Sequence, residues 1–177
     1  MSNETELQNI DKIYVSNSVR TIQTAKYMME KQNLKANIDD RLDERRVGIP
    51  NDNEVKDWWL RQYLDENYKT EGGESQKDVR GRFEEAFNEI VSENRGKRVA
   101  VFSHGYAITF FIMKWCKFKY LKNEDCLSFT FKDDEFFRDK VNAPEVFKLE
   151  VDDNNELLSI KLIRFEDLPY TDKSIKT

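Results

Sequence analysis

Little in this chain is suited to covalent bracing or metal binding. Among 177 residues there are two cysteines, Cys116 and Cys126, and a single histidine, His104. The cysteines show neither metal-ligand spacing nor a framework of paired bridges. They read as reduced, partly buried thiols, which predicts a cytoplasmic protein. One histidine among scattered carboxylates makes no ligand set, so no metal and no other cofactor is expected. Basic charge is not in excess: 29 Lys and Arg face 34 Asp and Glu, for a net charge of -5. The molecule as a whole therefore repels nucleic acid and anionic membranes, and neither is an expected partner. Any anion site must be a local positive cluster inside a negative envelope. No apolar run approaches membrane-spanning length. The N-terminal MSNETELQNIDK has no apolar signal-peptide core. Internal repeats and low-complexity tracts are absent too.

What remains is the composition of one ordinary domain over residues 1–177, long enough for a single covered core. Lys12 to Ser16 is a short β-rich run. A helical pattern follows from Val19 to Lys31, and Ser16 or Ser18 is its candidate cap. Asn33 to Asp40 reads as a loop with room for a short strand, and Arg41 to Pro50 as a loop. Asn53 to Glu66 is a candidate helix carrying Val55, Trp58, Trp59, Tyr63 and Leu64. Thr70 to Glu74, with Gly72 and Gly73, reads as a turn. Ser75 then opens the clearest helix, with Val79, Phe83, Phe87, Ile90 and Val91 on one face and Gly96 as its terminal cap. Arg98 to Ser103 is a second strand, whose continuous apolar character suits burial on both faces. Ala107 to Trp115 is the next helix. From Leu127 the pattern turns to strands, closing in a hairpin of Val146–Val151 and Leu158–Phe165, with a tail from Asp167.

Strands alternating with helices predict an α/β fold: a mainly parallel sheet in three layers, α/β/α. Ligands of such sheets gather at the carboxyl ends of the strands. Two strand ends carry chemistry. One leads from Tyr14-Val15-Ser16 to Arg20, and the other delivers Ser103-His104-Gly105. Parallel strands place Arg20 and His104 on one sheet edge, beside two helix N-termini that favour an oxyanion, most simply phosphate. Taken alone, a histidine here either faces a ligand or satisfies a local hydrogen bond, and Arg20 either clamps an anion or joins a surface ion pair. The aromatic residues Trp58, Trp59, Tyr63 and Tyr68 either cover a substrate or pack, and packing is favoured. Lys114 to Lys122 is basic with interleaved aromatics, but overall acidity argues against nucleic-acid binding.

Three segments in series carry a resemblance. Tyr14-Val15-Ser16-Asn17-Ser18-Val19-Arg20-Thr21-Ile22-Gln23-Thr24-Ala25 resembles Y-S-S-P-L-x-R-[AT]-x-Q-T-A. Leu42-Asp43-Glu44-Arg45-Arg46-Val47-Gly48 resembles L-x-E-R-x-x-G. Gly72-Gly73-Glu74-Ser75, Arg82 and Val101-Phe102-Ser103-His104-Gly105 resemble G-G-E-S…R…V-S-H-G. On these the chain resembles the histidine phosphatase superfamily, the phosphoglycerate mutase-like fold. The resemblance implies phosphomonoester hydrolysis or phosphoryl transfer through a phosphohistidine, with a small phosphorylated metabolite or phosphate as ligand. Mutase and phosphatase both stay open, as does a homo-oligomer.

The resemblance also implies roles. Arg20 would clamp phosphate, His104 and the Gly105 N–H would donate to phosphoryl oxygens, Glu44 would be the general acid, and Arg45 would contact a substrate anion. Glu44 equally reads as part of a solvated charge run, Asp39 to Arg46. Residues 50–71 would form a lid-like insertion. Two departures stand out. The family's first strand, ending in R-H-G with the nucleophilic histidine, has no match here, and His104 matches the second family histidine. The chain alone is therefore expected to be inactive, its sheet marginal or completed by a partner's strand. The alternative is a non-catalytic pseudophosphatase that binds phosphate or a phosphoester for regulation. Asn17 stands where the family has proline, which is expected to alter mainly the turn.

Overall fold

A computed structural model describes residues 5–50, 58–141 and 145–164. Three parallel strands form its first sheet: β1 (Lys12–Val15), β2 (Ala36–Ile38) and β3 (Val99–Phe102), in the order β2-β1-β3. Helix α1 (Val19–Gln32) joins β1 to β2, and α3 (Gln76–Glu93) leads into β3. Alternation along β1 sends Ile13 and Val15, both fully buried, to one face. There they meet Ala25 and Met28 of α1. Tyr14 points the other way, toward the core that α3 and α4 (Gly105–Ile112) build. Helices thus cover both faces of β1, as three layers require. Each fully buried Ile or Val contributes about 1.5–3 kcal/mol.

The strand β3 departs from expectation. Its residues are only half-buried and Val101 is 38% exposed, although the run was expected to be covered on both faces. The reason is position: β3 pairs with β1 on one side, and no described strand pairs with its other edge. Helix α3 starts where predicted, with Ser75 Oγ accepting from Asp78 N and the Asp78 carboxylate accepting from Ser75 N. It stops at Glu93, with Asn94 as its cap, so Gly96 (φ 71°) belongs to the following turn. Ser18 does stand at the N-cap of α1, but without a side-chain bond to the helix. Helix α4 begins two residues earlier than predicted, at Gly105. Helix α2 occupies Trp58–Leu64. The rest of that prediction, 53–57 with Val55, lies outside the described residues, as does the tail from Asp167.

A second sheet follows, antiparallel, of β4 (Lys117–Leu121), β5 (Cys126–Phe131) and β6 (Asp134–Asp139). It starts ten residues before the predicted onset of strands at Leu127. Its core is ring against ring: Phe118 to Phe129 at 5.5 Å, and Phe129 to Phe137 at 5.7 Å. The predicted hairpin is present as β7 (Val146–Val151) and β8 (Leu157–Ile163), turning through Asn155 at φ 65°. Leu157 and Ile160 bury into the aromatic core, while Val146 packs on the β1–α1 cluster. Both cysteines are buried and unbridged, and burial pushes the Cys116 thiol up to about 12. No described helix is long and apolar enough to cross a membrane.

Candidate active site

Parallel pairing of Val15 with Phe102 brings the residues after both strands side by side. Ser16 N donates to Phe102 O at 3.0 Å, and Ser16 Oγ lies 2.8 Å from His104 Nε2. The first turn of α1 swings Arg20 onto the other ring nitrogen. Arg20 Nε reaches His104 Nδ1 at 2.9 Å and Arg20 Nη2 reaches it at 2.6 Å. A guanidinium only donates, so Nδ1 must accept, and the imidazole proton sits on Nε2. Nε2–H then donates to Ser16 Oγ. Ser16 in turn donates to Thr21 Oγ1 at 2.8 Å, and Thr21 to Ser18 O at 2.8 Å. Burial, and next the Arg20 charge, lower the His104 pKa, against opposing pulls from Glu44 and Asp43. The ring is a neutral acceptor that aims Arg20. The structure therefore unites Arg20 and His104 on one edge. It also engages both ring nitrogens within the protein, so direct donation from His104 to a phosphoryl oxygen is not available in this arrangement.

The loop carrying Glu44 and Arg45 is stitched from two sides. Ser103 Oγ donates to Leu42 O at 2.6 Å. From α3, Arg82 donates to the carbonyls of Arg41, Asp43 and Glu44 at 2.7, 2.8 and 3.2 Å. The same guanidinium meets both oxygens of Glu74, at 2.9 and 3.1 Å. Glu74 Oε2 also accepts from Arg46 N at 2.8 Å. Burial pushes the Glu74 pKa up, but the Arg82 and Arg46 bonds outweigh it and hold the carboxyl below its usual range. Gly48 (φ 72°) and Gly73 let the two loops touch. A Cβ at Gly48 would lie 2.4 Å from Glu71 O, and one at Gly73 would lie 2.6 Å from Val47 O. Gly73 is thus a contact residue and not only part of a turn. Asn17 N donates to Asp43 Oδ1 at 2.8 Å, a bond that proline could not make.

Held this way, Glu44 Oε1 accepts the Ala107 N–H of the first turn of α4 at 3.1 Å and its neighbour's Arg45 N–H at 3.0 Å. Arg45 is 7% exposed and stacks on Tyr106 at 3.8 Å, with Trp58 at 5.1 Å. Its Nε and Nη1 have no acceptor, and neither Arg45 nor Arg20 has a carboxylate partner among the described residues. Gly105 opens α4, where N–H groups have no intrahelical acceptor. Among the described residues no three His, Cys, Asp or Glu side chains gather as a metal site.

The profile of the histidine phosphatase superfamily (branch 1) matches residues 3–126. The chain belongs to this superfamily. Solved structures share the fold. A mycobacterial glucosyl-3-phosphoglycerate phosphatase is 22% identical with a TM-score of 0.55, over 62% of this chain and 59% of its own. The same mycobacterial phosphatase has been solved with inorganic phosphate. Bacillus stearothermophilus YhfR is 23% identical with a TM-score of 0.51, over 61% of this chain and 57% of its own. The chain thus spans about three fifths of the length of these structures. No curated protein matches.

Within this superfamily fold, sequence reasoning about the site passed over two features. Ser16, one of two candidate caps of α1 and the end of a strand that leads to Arg20, bonds His104 instead, while Ser18 takes the cap position. In the sequence, Arg82 and Glu74 stand out only through the motif resemblance. Their coupling to the Glu44 loop carries no sequence signal, because it joins positions far apart in the chain.

Proposed function

We propose that this chain is the phosphate-gripping part of a histidine phosphatase acting on small phosphomonoesters. One observation carries the reading. Two arginines that have no carboxylate partner among the described residues, Arg20 and Arg45, are tied to the start of α4, Arg20 through His104 and Arg45 through Tyr106. In a chain of net charge -5, the buried Arg45 guanidinium is costly without an anion, and a bound phosphoester supplies one, with the exposed Arg20 beside His104 able to close on it. Arg20 clamps the phosphoryl oxygens, aimed by neutral His104. The Gly105 N–H donates from the helix end, and Arg45 contacts the substrate anion. Glu44 stands as general acid for the leaving oxygen. Residues 50–71 act as a lid-like insertion, of which 51–57 lie outside the described residues, and Trp58 of its described part lies against Arg45.

Phosphoryl transfer needs a second imidazole. That nitrogen attacks phosphorus, the P–O bond to the leaving group breaks, Glu44 gives its proton to the departing oxygen, and water later cleaves the phosphohistidine. The only histidine of this chain is committed to Arg20 and Ser16. We therefore read the chain alone as a binder, and turnover as the property of a unit in which another histidine reaches this edge. The same commitment of His104 favours the second reading, a pseudophosphatase that holds a phosphoester for regulation. Calorimetric titration with inorganic phosphate and vanadate tests the shared core. Binding that is lost in Arg20→Ala supports it, and absence of heat in the parent chain overturns it. Hydrolysis of p-nitrophenyl phosphate by the chain alone would overturn the assignment as a binder.

A further inference from the structure

Next to the anion grip lies a cavity of about 310 Å3, bounded by α2, the start of α4 and the β4–β5 strands. The reading above uses Gly105 and Tyr106 at its rim but not the cavity itself. Its walls are aromatic: Trp59, Tyr63, Tyr106 and Tyr120 line it, with Leu127 among the apolar residues. These rings are fixed by their neighbours. Trp59 and Tyr120 meet edge to face at 5.7 Å and 89°. Tyr63 is stacked on Phe118 at 4.9 Å, and its hydroxyl lies 3.0 Å from Thr109 Oγ1. Burial holds its phenol protonated, well above the usual range, so it presents no charge.

Three properties narrow the occupant. The volume falls within the range of small-molecule pockets, about 300–1,000 Å3, which are mostly apolar with a few placed polar groups. Among the described residues of the lining, the formal charges are Asp125 and Lys140, which are bonded to each other, and Tyr120 OH donates to Asp125 Oδ1 at 2.7 Å. A second anion or a free cation thus finds no uncompensated partner there. Lastly, Gly105 belongs to both places: it lines the cavity and follows His104, which holds Arg20. A phosphate held at the helix end would therefore lie beside the aromatic walls.

We infer that this cavity receives the leaving group of the substrate, and that the substrate is a phosphomonoester of a planar, ring-bearing alcohol. Rings within aromatic walls gain edge and stacking contacts that an aliphatic chain lacks, and they lose little conformational freedom on binding. The inference rests on the phosphate-gripping role proposed above.

Two non-hydrolysable probes test it on the full chain. Phenylphosphonate and methylphosphonate carry the same anion, with and without a ring. Calorimetry should show phenylphosphonate binding roughly tenfold tighter, as ring contacts of this kind provide. The ratio should fall to about one in Tyr120→Leu, which removes a wall, and in Val141→Trp, which fills the cavity beside Gly105. Circular dichroism of both variants checks that they fold, and either one alone suffices. Equal affinity of the two probes for the parent chain would overturn the inference and leave the anion grip standing. A ring preference unchanged in a folded variant would overturn it too. Failure of both probes to bind would remove the phosphate-gripping role and this inference with it.

Discussion

Around the carboxyl ends of β1 and β3, polar side chains meet named partners: Ser16, His104 and Arg20 on one side, and Glu74, Arg82 and the Glu44 loop on the other. In the β4–β5–β6 sheet and against α2 and α4, the contacts are rings: Tyr63 on Phe118, Phe118 on Phe129, Phe129 on Phe137. The first region is held by directional bonds, so its geometry is fixed and the loss of one partner leaves another unsatisfied. The second is held by burial, which contributes more free energy and accepts any residue of similar volume and polarity. Geometry is therefore kept where the anion is gripped, and stability is concentrated away from it.

Phe129→Ala is the largest blow to the aromatic side. Phe129 is fully buried at the centre of the ring cluster. Its loss should cost about 3–5 kcal/mol in urea-induced unfolding. At low temperature, the folded fraction should still bind phosphate with parental affinity. A parallel loss of affinity would mean that the two regions are not separable.

Arg82→Ala strikes the directional side. It leaves the Glu74 carboxyl, whose side chain is 9% exposed, without its guanidinium. The expected cost is about 3 kcal/mol, discounted for partial solvent access to Arg82. Here phosphate affinity should fall together with stability, because the Glu44–Arg45 loop hangs on Arg82. Denaturation and calorimetry on the same sample measure both.

Acid separates the regions without mutation. The folded pKa of His104 lies below its ordinary value of 6.5. The unfolded chain therefore takes up that proton first. Stability from neutral His104 is fully present above 6.5 and drains away as pH falls through the folded value. Glu74, lowered from 4.5, contributes above that value and fails only at lower pH. Urea midpoints from pH 8 downward should thus drop in two stages, with the first stage absent from His104→Gln. A first stage that survives in that variant would place its origin elsewhere.

The smallest effect is expected for Asn17→Pro. The substitution removes the Asn17 N–H donor to Asp43 but stiffens the unfolded chain, so the two effects nearly offset, to within about 1 kcal/mol. Thermal unfolding would detect a larger loss, which would mark the Asn17–Asp43 bond as an essential strut of the loop.

The parallel strands, α1, α3 with its Ser75 capping box and the final hairpin were legible because each is written in local pattern. Strand β4 carries a weaker signal: Phe118 and Tyr120 alternate with Lys117 and Lys119, but the lysines also fit a basic surface run, and the period of two is the informative feature. The half-exposure of β3 was hidden because an apolar run looks the same at a sheet's centre and at its edge. Gly73 has the local pattern of any turn glycine, and its close approach to Val47 is a tertiary contact that leaves no mark in the sequence.

Local pattern alone specifies the parallel strands β1 and β3, helices α1 and α3 and the final hairpin, and it puts Arg20 and His104 on one edge, since strand periodicity, caps and parallel connection rules act over short stretches of chain. Packing alone sets the engagement of both His104 nitrogens by Arg20 and Ser16, the suspension of the Glu44 loop from Arg82, and the half-open cavity that rings from α2, α4 and β4 line beside Gly105. Those facts depend on distances between side chains far apart in sequence, and such distances exist only once the core has packed.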